Sequence, residues 1–167
     1  MGNSGRTRAE SGRVPDRNRD FAAALDVVRA SPRETGVVEA LVLRPERERR
    51  VLADVVVLDE VEGVVGDNWL ARGSKSTPDG AANPESQLML MSTRVLAAIE
   101  PDRGRWALAG DQLLVDFDLS IANLPPGARI LVGDAELEVS VKPHTGCAQF
   151  SGRFGSDATQ PRLAALG

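Results

Sequence analysis

The residues best equipped for covalent chemistry stand close together in the sequence: Lys142, His144, Cys147 and Arg153. Positive neighbours stabilise a thiolate over a thiol and draw a cysteine below its free pKa of about 8.5, which raises the fraction able to attack sulfur or bind a soft metal. Cys147 is the single cysteine and His144 the single histidine of the 167 residues. No internal disulfide can form, and the chain alone cannot supply the Cys and His set of a usual structural zinc site. A papain-like Cys/His pair is disfavoured, because a histidine three positions away in an extended loop is badly placed as a general base. The plain alternative is that Cys147 is a small, half-buried loop residue.

Other segments carry weaker chemical signals. GDNWLARGS at 66–74 offers backbone N–H groups and Arg72 to an anion, yet matches neither the dinucleotide-binding glycine pattern nor a P-loop. Asp67, Asp111 and Asp134 each follow a glycine; paired carboxylates can hold Mg²⁺, but Gly-Asp is above all a turn dipeptide. Met89 and Met91 read as core packing, and Trp69 and Trp106 as packing anchors. Of the 20 basic residues, 18 are Arg, which grips carboxylate or phosphate with two parallel hydrogen bonds but is also commonly just solvated.

The elements that must position these groups are short. Phe21, Ala24, Leu25 and Val28 fall at helical spacing, with Asp20 placed as a cap and Ser31-Pro32 as a stop. GVVEALVLRP at 36–45 and VLADVVVLDE at 51–60 read as a hairpin about the charged turn PERERR. Residues 62–86 read as a long loop, 87–91 as a buried strand, and Ser92 as the cap of a helix that runs to Ile99 and stops at Pro101. A strand in 112–121 leads to the turn LPPGAR. In AELEVSV at 135–141 the residues Ala135, Leu137, Val139 and Val141 share one face, and this strand delivers the chain to Lys142 and onward to Cys147. Gly and Pro make up 26 of the 167 residues, above ordinary usage, so the pattern as a whole predicts a mostly β, loop-rich barrel with a few short helices.

Composition sets the outer limits. A net charge of −4 with 42% apolar residues describes an ordinary globular chain, and no apolar run approaches the roughly 20 residues of a bilayer-spanning helix. The first twenty residues hold five Arg and no secretory core, which predicts a cytoplasmic protein without membrane partners. Residues 1–50 carry a net charge of +3 and 51–167 a net charge of −7, but no aromatic residues interleave with the basic arm, so nucleic acid is not an expected partner. The expected organisation is a basic leader at 1–19, one domain at 20–158 and a short tail at 159–167.

Three segments carry a family resemblance: GVVGDNWLARGS at 63–74, NPESQLMLMSTRVL at 83–96, and residues 109–158, above all the Leu-Glu-Val strand followed by Pro143-His144-Thr145-Gly146-Cys147. Over about residues 36 to 158 the chain resembles the stand-alone bacterial MOSC domain family, named for the C-terminal region of molybdenum cofactor sulfurases. The resemblance implies a closed or nearly closed β-barrel, of the type also found in pyruvate kinase, with a pocket near the cysteine. It implies a molybdenum–pterin cofactor (molybdopterin), sulfur carried as a persulfide, or partner-dependent reduction of N-hydroxylated bases; a degenerate, non-catalytic barrel is the further alternative. Cys147 matches the family cysteine, as catalytic thiol or metal ligand. His144, Arg153, Lys142, Asp67, Arg72 and Arg94 are the candidate cofactor-binding residues. Expected partners are a cysteine desulfurase or an electron-donating reductase. Pyridoxal phosphate belongs to the fused sulfurases and is not expected to bind this chain. Gln149 stands where relatives commonly have Lys, and the chain ends 20 residues after Cys147, where relatives continue through further strands. An open sheet edge there predicts either a homodimer through that edge or a truncated, marginally stable barrel.

Overall fold

A computed structural model of the protein describes residues 17–142 and 148–155. The first helix, α1 (Arg17–Arg29), starts before Asp20 and ends where Ser31 turns its hydroxyl back onto the Val28 carbonyl at 2.6 Å, just ahead of Pro32. Strand β1 (Val37–Leu43) then pairs antiparallel with β2 (Val51–Ala53), Leu43 opposite Val51, which forms the hairpin expected about the charged turn. The rest of the expected second strand leaves the sheet. After Asp54 the chain makes a separate small ladder from β3 (Leu58–Asp59) and β4 (Gly63–Val64).

Helix α2 (Trp69–Arg72) and a 3₁₀ turn at Pro84–Ser86 punctuate the loop before β5 (Leu90–Ser92). Ser92 ends that strand and caps α3 (Thr93–Ile99), its hydroxyl accepting from the Val95 N–H. Ser92→Ala should therefore lower the unfolding free energy by about 1 kcal/mol. An unchanged urea midpoint would show that the cap contributes nothing. A 3₁₀ segment, Arg103–Ala109, carries Trp106 and ends at Gly110, whose φ of 94° suits a residue without a Cβ. Strand β6 (Leu113–Asp116) follows, then the hairpin of β7 (Arg129–Val132) and β8 (Ala135–Glu138), and finally α4 (Ala148–Phe154).

The main sheet has the order β2-β1-β6-β5, with β5 parallel to β6 and the other pairs antiparallel. Its edge strands, β2 and β5, do not pair with each other, and the two other ladders stand apart from it. The closed or nearly closed barrel expected from the sequence, and its mostly β class, are thus overturned: among the described residues the sheet is open, and helical residues outnumber strand residues. Closure needs every strand to hold a tilted, staggered ladder on both sides. Here β1 alone reaches seven residues, while Val55 and Val57, apolar residues expected to extend β2, stand 78% and 63% exposed.

The core gathers where α3 and the 3₁₀ segment cover one face of the sheet. Val42, Leu96, Trp106 and Leu114 pack together, flanked by Ala40, Met91, Ala107 and Ala109. Burying a side chain such as Leu96 stabilises the fold by roughly 1.5–3 kcal/mol. Trp69 and Trp106 are both buried, as packing anchors should be. No helix among the described residues is long and apolar enough to cross a membrane.

Candidate anion site

The inward-facing residues of β1 set up the site. Val42 is fully buried, and two positions on, with the parity of a strand, Arg44 is buried as well. A buried guanidinium needs a partner. Asp67 supplies it: Arg44 Nε and Nη2 donate to the two carboxylate oxygens at 2.8 and 2.9 Å, and the Arg44 backbone N–H donates at 3.2 Å. Asp67 also accepts from the Trp69 N–H at 2.9 Å, and Arg44 Nη1 donates to the Gly110 carbonyl at 2.8 Å. One ion pair thus joins the 66–69 turn, the end of β1 and the turn before β6.

Two further arginines converge on Gly110. A Cβ placed on that residue would lie 3.5 Å from Arg50 Nη2 and 3.9 Å from Arg153 Nη1, so both guanidiniums pack against the same bare glycine. Arg153, on α4, is anchored at both ends. Its Nη1 donates to the Leu108 carbonyl at 2.8 Å, its Nη2 reaches the Glu48 carboxylate at 2.6 Å, and its own carbonyl accepts from Arg105 at 3.0 Å. Arg50 is less well provided. Nη1 donates to the neighbouring Arg49 carbonyl at 2.7 Å, while Nε is buried with no hydrogen-bond partner. Burial, and after it the positive charges of Arg153 and Arg44, push the Arg50 pKa down from the ordinary arginine range, with Glu48 and Asp67 opposing.

Glu48 closes the group. Its carboxylate accepts from Arg153 and, at 3.2 Å, from Gln149 Nε2. The Arg153 hydrogen bond and charge hold the Glu48 carboxyl below the usual glutamate range. Three guanidiniums therefore face two carboxylates, and a buried donor is left over. Such an arrangement can take a further anion, best one with several oxygens that bridge two planar forks.

The residues singled out from the sequence fall in several places. Arg153 and Asp67 belong to this cluster. Arg94 sits at the other end of β6, where it grips Asp116 with bonds of 2.6 and 3.1 Å and donates to the Val27 carbonyl. Arg72 is exposed at the end of α2, and Lys142 reaches the Ser76 hydroxyl at 3.1 Å. Cys147 and His144 lie outside the described residues. The glycine of each Gly-Asp pair has positive φ, as turns require, but the Asp67 side chain and Asp111 are buried while Asp134 stays exposed.

Sequence reasoning missed Arg44, Glu48 and Arg50. Strand parity through Val42 was the available signal for Arg44. For Arg50 and Glu48 there was none, because PERERR has the composition of a solvated turn and the partner Arg153 lies far along the chain. No family model matches the chain, nor does any curated protein or solved structure.

Proposed function

We propose that this protein binds a phosphate-bearing pterin cofactor of the molybdenum type and handles sulfur or metal through Cys147, as its resemblance to MOSC domains implies. The observation that supports this is the cluster of guanidiniums around Gly110: Arg50 and Arg153 both pack against that glycine, and Arg50 Nε is buried without a partner. The terminal phosphate of such a cofactor is a dianion with several acceptor oxygens, and it fits that donor set. Helix α4, which carries Arg153, begins at Ala148, the residue after Cys147 in the sequence. In this reading the thiol of Cys147, the single cysteine, is the soft donor for this chemistry.

In this reading each residue has a limited task. Arg50 and Arg153 bind and orient the phosphate, and Arg44, held by Asp67, fixes the floor of the site through the Gly110 carbonyl. The cofactor, when bound, supplies the redox chemistry. In the sulfur-carrier form, the Cys147 thiolate attacks the outer sulfur of a desulfurase persulfide; the donor S–S bond breaks, the donor cysteine leaves as a thiolate, and Cys147 holds the sulfur as a persulfide. Both forms need a reduced thiol, which places the chemistry in a reducing compartment such as the cytoplasm.

The test is to purify the protein from molybdate-supplied cells and measure molybdenum by mass spectrometry and pterin by fluorescence after oxidation, in wild type and Cys147→Ala. Near-stoichiometric metal and pterin in the wild type, with metal lost in the variant, is the expected result. A wild-type protein that carries neither, and gains no persulfide at Cys147 from a cysteine desulfurase supplied with cysteine, would overturn the proposal.

A further inference from the structure

The turn that carries Glu48 is built unlike the rest of the described residues. Among the described residues Glu48 is the one non-glycine with positive φ, at 66°, a region that side chains other than Asn, Asp and His seldom occupy. From this conformation it places its carboxylate on Arg153 and Gln149, both more than a hundred positions away in sequence. The Glu48 side chain is nevertheless 60% exposed, against 16% for Arg153. A solvated carboxylate on a strained backbone thus covers the Arg153 guanidinium, which is itself largely buried.

We propose that Glu48 is a displaceable internal anion, which occupies the Arg50–Arg153 site until a phosphomonoester dianion takes its place and which keeps monoanions out. The inference deepens the proposed function and rests on it for the natural ligand alone, since any phosphomonoester can probe the site.

Charge decides which anions succeed. Among these five side chains, Asp67 neutralises Arg44, and the pair Arg50 and Arg153 carries one more charge than Glu48 alone can offset. A monoanion that displaces Glu48 merely replaces one negative charge with another and loses its translational freedom in doing so. The tethered carboxylate, present at an effective concentration of about millimolar or above, wins that competition. A phosphomonoester brings a second negative charge and three oxygens. It can engage Arg153 Nη2 and Gln149 Nε2, which Glu48 releases, together with Arg50, which packs beside Arg153 against Gly110. Displacement also lets the 46–49 turn leave its left-handed conformation.

The experiment is calorimetric titration of the full chain, at about pH 8, with phenyl phosphate and with benzoate, which carry a dianion and a monoanion on the same ring; a phosphomonoester has its second pKa at about 6. Wild type should bind phenyl phosphate and show no benzoate binding. Glu48→Gln should bind phenyl phosphate about tenfold more tightly, the scale of one charge-assisted contact, and should begin to bind benzoate. Arg50→Met should weaken phenyl phosphate at least tenfold in either background. Glu48→Gly, which suits the positive φ, repeats the test should the Gln variant fold poorly. Unchanged or weaker phenyl phosphate binding in both Glu48 variants would overturn the inference, as would absence of binding in every protein. Neither outcome touches the molybdenum and pterin content of the purified protein, so failure of this inference and failure of the proposed function remain distinguishable.

Discussion

Asp67→Ala should lower the unfolding free energy by about 3–5 kcal/mol, the cost of leaving one member of a buried ion pair uncompensated. The Arg44 and Asp67 side chains are only 8% and 0% exposed, so water cannot take over the lost interaction. Arg44 would keep its bond to the Gly110 carbonyl but lose three donor contacts to the carboxylate. Its charge would then stand unopposed beside Arg50, which already feels Arg44 and Arg153. A fold of ordinary stability has about 5–15 kcal/mol in total, so the variant should sit near its folding threshold. Urea denaturation followed by circular dichroism measures this directly. The double variant Arg44→Met/Asp67→Leu should recover most of the loss, because well-packed apolar residues can replace a buried pair at little cost. A single-variant loss below about 1 kcal/mol would place the pair among solvent-screened contacts and refute the burial argument.

The same pair shows what was legible in the sequence. Local rules worked where one short segment decides the outcome. Ser92 caps α3 and the helix ends at Ile99 ahead of Pro101, since a cap and a breaker act within a single turn. The alternation expected over 135–141 holds for Ala135, Glu136, Leu137 and Glu138, which form a strand with one half-buried and one exposed face, but the strand ends at Glu138 and Val141 stands 74% exposed. The barrel failed because alternation identifies a strand without naming its partner. VLADVVVLDE has the apolar content of one long strand, yet the chain turns after Ala53 and spends its next apolar residues on a separate ladder and on solvent. The cluster at Gly110 was hidden for a related reason. Arg44 and Arg50, Gly110 and Arg153 come from three distant parts of the sequence, and only the fold brings the arginines together at the glycine.

Trp106→Ala should cost about 3–5 kcal/mol and also loosen the anion site. The ring is 7% exposed and packs in the core with Val42, Leu96 and Leu114, so its removal leaves a void between the helical layer and the sheet. Its indole N–H donates to the Glu100 carbonyl at 2.8 Å, and the Arg103 guanidinium lies 4.6 Å above its ring. Trp106 thereby fixes the 3₁₀ segment that supplies three parts of the anion site. The Leu108 carbonyl receives Arg153 Nη1, Arg105 holds the Arg153 carbonyl, and Gly110, without a Cβ, lets Arg50 and Arg153 pack against its backbone. Trp106→Phe separates the contributions. It keeps most of the apolar volume but strands the Glu100 carbonyl, which should cost about 1–3 kcal/mol. Phenyl phosphate affinity should therefore fall clearly in the Ala variant and little in the Phe variant, with stability falling in the same order. Equal losses of stability in the two variants would mean that the indole hydrogen bond, rather than packing, holds the segment. Unchanged affinity in a folded Ala variant would mean that Arg153 is positioned by α4 alone.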